Sequence, residues 1–165
     1  MNLKKFYILQ LVISFIAITD TIAQDLVNDT LPSVFMIGEF ELQYESMVVD
    51  CSELLLGVCD DSMDEAYKEW LLMLKDIEDY AVSQEFEIRG IKTWLNIFWN
   101  EDGTIKHLVF YPKPNSRNMD FEELRQFFAS FVAQYTFSKS FEDCFAHYGS
   151  AKFPSFAELY IKSKN

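Results

Sequence analysis

Glycine and proline are scarce in this chain: five and four in 165 residues. That leaves little material for a flexible spacer or a low-complexity linker and points to one folded domain of ordinary size. Positive charge is also short, with 14 Lys+Arg against 26 Asp+Glu, a net charge of −12 and a pI near 4.5. Such a balance repels a phosphate backbone or an anionic lipid surface, so nucleic acid is not an expected partner. Metal-binding and phosphate-binding signatures are missing. The three cysteines form no Cys-x-x-Cys pair, and His107 and His147 lie far apart in sequence, which argues against zinc. Asn100-Glu101-Asp102-Gly103 opens like a calcium loop, yet its closing twelfth position is Tyr111. A Gly-rich phosphate cradle, a Gly-x-Ser-x-Gly elbow and a His-Glu-x-x-His pair are all absent. The sequence implies no cofactor, no metal and no enzymatic activity.

What the chain has in quantity is aromatic side chains: 16 Phe, 8 Tyr and 3 Trp. An intrinsically disordered protein lacks these, so most of the length is expected to pack into a core. The N-terminus reads as a secretion signal over residues 1–23. Lys4 and Lys5 supply the charged start, Phe6 to Ile18 the apolar stretch, and Thr21-Ile22-Ala23 a small-residue cleavage site before Gln24. The apolar stretch, interrupted by Gln10 and Ser14, is shorter than the roughly 20 residues that span a bilayer. No stable membrane anchor is expected after cleavage. Residues 24–33 read as a flexible arm and 34–165 as a single α+β domain.

Within that domain, Phe40, Leu42 and Tyr44 alternate with Glu39, Glu41, Gln43 and Glu45, the pattern of a half-buried strand. Ser62-Met63-Asp64-Glu65 has the form of a capping box, and apolar residues from Ala66 to Ala81 recur every three or four positions. One amphipathic helix is predicted there, ending near Ser83. Ile91 to Trp99 and Ile105 to Tyr111 flank Asp102-Gly103 and are predicted to pair as an antiparallel hairpin. Asp120 caps a second striped helix through Phe121, Leu124, Phe127, Phe128, Phe131 and Val132. A short helical turn is expected around Phe141 to Tyr148, and a last strand from Phe156 to Ile161. The resulting fold is a small, mostly antiparallel sheet with two amphipathic helices packed on one face.

An exported chain meets an oxidising compartment, so its cysteines are candidates for a bridge. Cys51 and Cys59 are close in sequence, with Gly57 between them to ease closure, and a Cys51–Cys59 disulfide is one expectation, with Cys144 left as a buried thiol. Cys144 and His147, three apart beside Asp143, are the only arrangement suggestive of a thiol nucleophile and its base. Their Phe-rich surroundings read instead as a core-facing segment. The loop Lys113-Pro114-Asn115-Ser116-Arg117-Asn118 is basic in an otherwise acidic chain, and loops of this kind collect binding residues.

The order helix, strand, Asn100-Glu101-Asp102-Gly103-Thr104-Ile105 hairpin, strand, capped helix and last strand resembles the C-terminal domain of TonB over about residues 64–161. That family is the periplasmic end of a Gram-negative energy transducer. The chain departs from it in lacking a retained anchor and a Pro-rich spacer, and in carrying Tyr135 to Lys139 where the family has Trp and Pro before its last strand. Residues 34–60 have no counterpart. The resemblance implies a stand-alone protein, secreted or periplasmic, that binds another envelope protein by adding a strand to an exposed sheet edge. Candidate partner-binding residues are Lys113, Asn115, Arg117, Phe156, Leu159 and Ile161. The surplus of Phe suggests an alternative role as carrier of a small apolar ligand in an aromatic-lined cleft.

Overall fold

The computed structural model describes residues 31–164; the expected signal peptide and residues 24–30 lie outside them. Ten elements follow in order: β1 (Val34–Met36), α1 (Glu41–Asp50), β2 (Glu53–Leu54), α2 (Leu55–Val58), α3 (Met63–Ser83), β3 (Lys92–Trp99), β4 (Ile105–Pro112), α4 (Phe121–Val132), β5 (Phe145–Lys152) and α5 (Ala157–Lys164). The architecture is α+β, with five strands in one sheet of order β1-β4-β3-β5-β2. Its three long central strands are antiparallel. The two short edge strands run parallel to their neighbours, so the sheet is mixed.

The hairpin forms where Asp102-Gly103 predicts it, with Trp94 opposite Tyr111 and Ile97 opposite Leu108. Gly103 takes a φ of 82°, which a Cβ would oppose, and its N–H donates to the Asn100 carbonyl at 3.0 Å. Asp102 accepts from the Thr104 backbone N–H at 3.0 Å and from its hydroxyl at 2.6 Å. Both long helices start at their predicted caps. Ser62 accepts from the Glu65 N–H at 3.3 Å and Asp120 from the Glu122 N–H at 2.8 Å. Their apolar stripes meet one sheet face: Trp70, Leu74 and Ile77 of α3, with Leu124, Phe128 and Phe131 of α4, join Leu95, Ile97, Trp99, Leu108 and Phe110 in the main core.

The opposite face has its own smaller core of Phe35, Met47, Cys51, Phe98, Val109 and Ala146, covered by α1. Residues 38–45 were expected as a strand, and this is corrected: Glu41–Asp50 is helical. Tyr44, Met47, Val48 and Cys51 sit at helical spacing on the side that packs against the sheet, and seven alternating residues could not distinguish that period from two. The turn before α1 is pinned by Glu39. Its carboxylate accepts two hydrogen bonds from the Arg125 guanidinium at 2.8 and 2.9 Å and one from the Met36 N–H at 2.8 Å. The hydrogen bonds from Arg125, above all, hold the Glu39 carboxyl below its usual pKa.

Two further expectations are corrected. The helical turn expected around Phe141 to Tyr148 is not formed: Phe145–Lys152 is a strand paired along its whole length with β3. Phe156 to Ile161 was the expected last strand, whereas Ala157–Lys164 is a helix. Gly149 looks like a chain break in the sequence but does not act as one. It is a close-approach position inside β5, where a Cβ would meet the Trp70 ring at 2.6 Å.

The expected Cys51–Cys59 disulfide is not formed: Cys51 is bonded to Cys144, with Cα atoms 5.1 Å apart, and Cys59 is free and buried. The reason is topological. Cys51 belongs to the core under α1 and Cys59 to the core under α3, because β2 carries the chain past the sheet edge between them. The 93-residue bridge ties the end of α1 to the start of β5. Burial raises the Cys59 thiol pKa.

Candidate functional site

Most polar clusters of the sequence resolve into local structure. Among the described residues no group of three or more His, Cys, Asp or Glu side chains could hold a metal ion. Nor is any helix there long and apolar enough to cross a membrane. With its sulfur bonded to Cys51, Cys144 offers no thiol for His147 to activate. His107 is the hydrogen-bonded structural histidine its strand position suggests, with Nδ1 at 3.0 Å from the Pro32 carbonyl oxygen.

One feature is left open by the fold. Beyond Ala146, the outer side of β5 has no strand partner among the described residues, because β2 pairs only at Phe145 and Ala146. Phe153 donates its N–H to the Ile91 carbonyl at 2.9 Å, which sets the alternation of an antiparallel ladder. Odd-numbered residues of β5 exchange hydrogen bonds with β3. The backbone groups of Tyr148, Ser150 and Lys152 therefore point outward, along an edge of about 13 Å from Tyr148 to Lys152 at strand spacing.

An apolar groove of about 290 Å³ lies at the Tyr148 end of this edge, where Leu54, Met63, Tyr67, Trp70, His147 and Tyr148 line it. Trp70 reaches it from the middle of α3. Its ring stacks obliquely on His147, with centroids 4.5 Å apart, and covers the bare backbone of Gly149. Tyr67 and Met63, one and two turns earlier, remain exposed on the groove wall. Burial pushes the His147 pKa down to about 4, so the imidazole is neutral near pH 7 and the groove carries no charge there. A larger cleft at the end of α3, about 440 Å³, is lined by Glu78, Glu85, Glu87 and Arg89 as well as apolar residues. Glu78 is already engaged there by the Ser155 backbone and hydroxyl.

The sequence-predicted binding residues divide. Lys113 is brought to the edge: its ammonium lies 3.7 Å from the Trp94 ring centroid and donates to the Ser150 hydroxyl. Asn115 is exposed at the tip of the same turn, where Ser116 N–H donates to the Lys113 carbonyl at 2.9 Å. Arg117 serves the fold instead, its guanidinium donating to the Glu87 carbonyl and its N–H to the Gly90 carbonyl at 2.8 Å. Phe156 and Leu159 are exposed, the first just before α5 and the second on it. Ile161 lies within α5. None of these three belongs to a strand.

Sequence reasoning missed Tyr148, Ser150, Lys152 and the groove residues. The signal was the alternation of Phe145, His147, Gly149 and Ala151 with Ala146, Tyr148, Ser150 and Lys152. No protein-family model, curated protein or solved structure matches this chain.

Proposed function

We propose that this protein is a non-enzymatic, exported binding module that takes up an extended segment of a partner protein as an added strand along β5. One observation carries the reading: the outer side of β5 from Tyr148 to Lys152, without a strand partner among the described residues, starts at an uncharged apolar groove lined by His147 and Tyr148. A sheet edge offers main-chain hydrogen bonds to any extended segment, and a pocket beside it selects alternate side chains. Folded proteins ordinarily blunt or cover such edges. Here β2 covers two residues, and the rest has no strand partner among the described residues. Export is supported by the signal-like residues 1–23 and by the Cys51–Cys144 disulfide, a bond typical of oxidising compartments. The partner is an envelope protein in this reading, as the resemblance to the TonB C-terminal domain implies.

The alternative, a carrier of a small apolar ligand, draws less support. Much of the aromatic surplus goes into the core, where Phe110 of β4 meets Phe128 of α4 at 5.5 Å and Trp99 stacks on Phe145 across β3 and β5 at 5.0 Å.

The test is binding of a fluorescently labelled octapeptide of alternating valine and threonine. Ser150→Pro removes an outward N–H, which an edge strand tolerates, and is expected to abolish binding. Met63→Glu, at an exposed groove position, is expected to weaken it at least fivefold without loss of folding. Binding unchanged in both variants would overturn the proposal.

A further inference from the structure

The two sides of the β5 edge differ in chemistry, and in a strand successive side chains point to opposite sides. A segment added to β5 therefore meets the groove with every second residue and the other sheet face with the rest. On that other face lies a row of cations. Lys152 is directly opposite Lys92 in the β3/β5 ladder, and the Lys113 N–H donates to the Lys92 carbonyl at 2.8 Å, which sets Lys113 on the far side of Lys92. The three lysines, Lys113 one residue past the end of β4, Lys92 on β3 and Lys152 on β5, thus stand in one line. Beside it runs a second line of Tyr111, Trp94 and Ser150, with Tyr148 one step further along the edge. Trp94, Tyr111 and Tyr148 are each more than 40 % exposed.

None of these lysines forms an ion pair among the described residues, although the chain carries 26 carboxylates. Lys113 reaches across Trp94 to Ser150, and Lys152 sits 5.5 Å from the Phe156 ring. Two ammonium groups therefore stand on the solvent-facing side of the open edge.

We infer that the segment bound at β5 alternates apolar residues, facing Met63, Tyr67 and Trp70, with acidic residues, facing Lys113 and Lys152. This rests on the strand-addition reading and names its partner chemistry. A second copy of this chain fits poorly, since two-fold pairing of β5 about Ser150 would bring two Lys113 ammonium groups together.

Three octapeptides test it: valine alternating with glutamate, with threonine and with lysine. Opposite charges across neighbouring strands favour pairing, and two such pairs correspond to about a fivefold gain over the neutral peptide. The expected order is glutamate, threonine, lysine, against the −12 net charge of the whole molecule, which favours the lysine peptide. Lys113→Glu with Lys152→Glu should reverse the order. Equal binding of all three peptides would overturn the acidic preference while leaving strand addition standing. Binding of none would overturn both. A dimer in sedimentation velocity that Ser150→Pro dissolves would show the edge to be a self-association surface and overturn the inference.

Discussion

Gly149 and Trp70 are matched in size: the strand lacks a side chain where the indole lies flat on its backbone. Gly149→Ala places a methyl 2.6 Å from the Trp70 ring, which is held from behind by the α3 core. Overpacking of this kind costs about 1–3 kcal/mol, and urea unfolding should show a lower midpoint with an unchanged slope. His147 adds a pH dependence at the same spot. The folded imidazole titrates near 4 because burial disfavours its charge, while in the unfolded chain it titrates near 6.5. Above pH 6.5 both states are neutral, and the group is silent. Between 6.5 and about 4 only the unfolded state takes up the proton, so stability falls as pH falls. His147→Gln should flatten that part of the stability profile relative to the unsubstituted protein. Other titrating groups, among them His107, which burial also lowers, contribute equally to both proteins and cancel in the difference. An identical slope in the variant would contradict this assignment.

At the scale of elements, the Cys51–Cys144 bond holds α1 and the start of β5 together, and with them the floor of the second core. Closing a loop of 93 residues restricts the unfolded chain strongly, and removing such a bridge costs roughly 2–5 kcal/mol. Cys51→Ser with Cys144→Ser should lower the unfolding midpoint accordingly. A thiol reagent should find one sulfhydryl per chain, Cys59, reactive only after denaturation; two or more, or a fast reaction in the folded protein, would contradict the bridge or the burial. The long elements were legible in the sequence because each carries redundant signals. For α3 a cap, a stripe over about four turns and a polar opposite face all agree, and for the hairpin Asp-Gly sits between two β-branched runs. The short elements were not. Residues 38–45 fit two periods at once, β1 and β2 are too short to show any period, and a glycine inside β5 imitated a boundary. Cysteine pairing depended on which face each residue occupies, a property of β2 crossing the sheet edge rather than of spacing. Of the expected binding residues only Lys113 reaches the site, for the open edge arises from strands far apart in the chain.

At the scale of the whole molecule, the described residues cover one sheet face and part of the other, and leave the outer side of β5 unequally dressed. α3 and α4 seal one face, α1 seals the other near the disulfide, and β1 lies along β4 from Leu108 to Phe110. Among the described residues the outer side of β5 beyond Ala146 has no strand partner; it is apolar below and cationic above. The account stands or falls on that edge being free in the unbound protein and occupied in the bound one. Residue-resolved amide hydrogen exchange reads this directly. Without peptide, the amides of Tyr148, Ser150 and Lys152 should exchange quickly while those of His147, Gly149 and Ala151, bonded to β3, are protected; saturating valine–glutamate peptide should slow the first set. Uniform protection along β5 in the free protein, or no change on saturation, would contradict it.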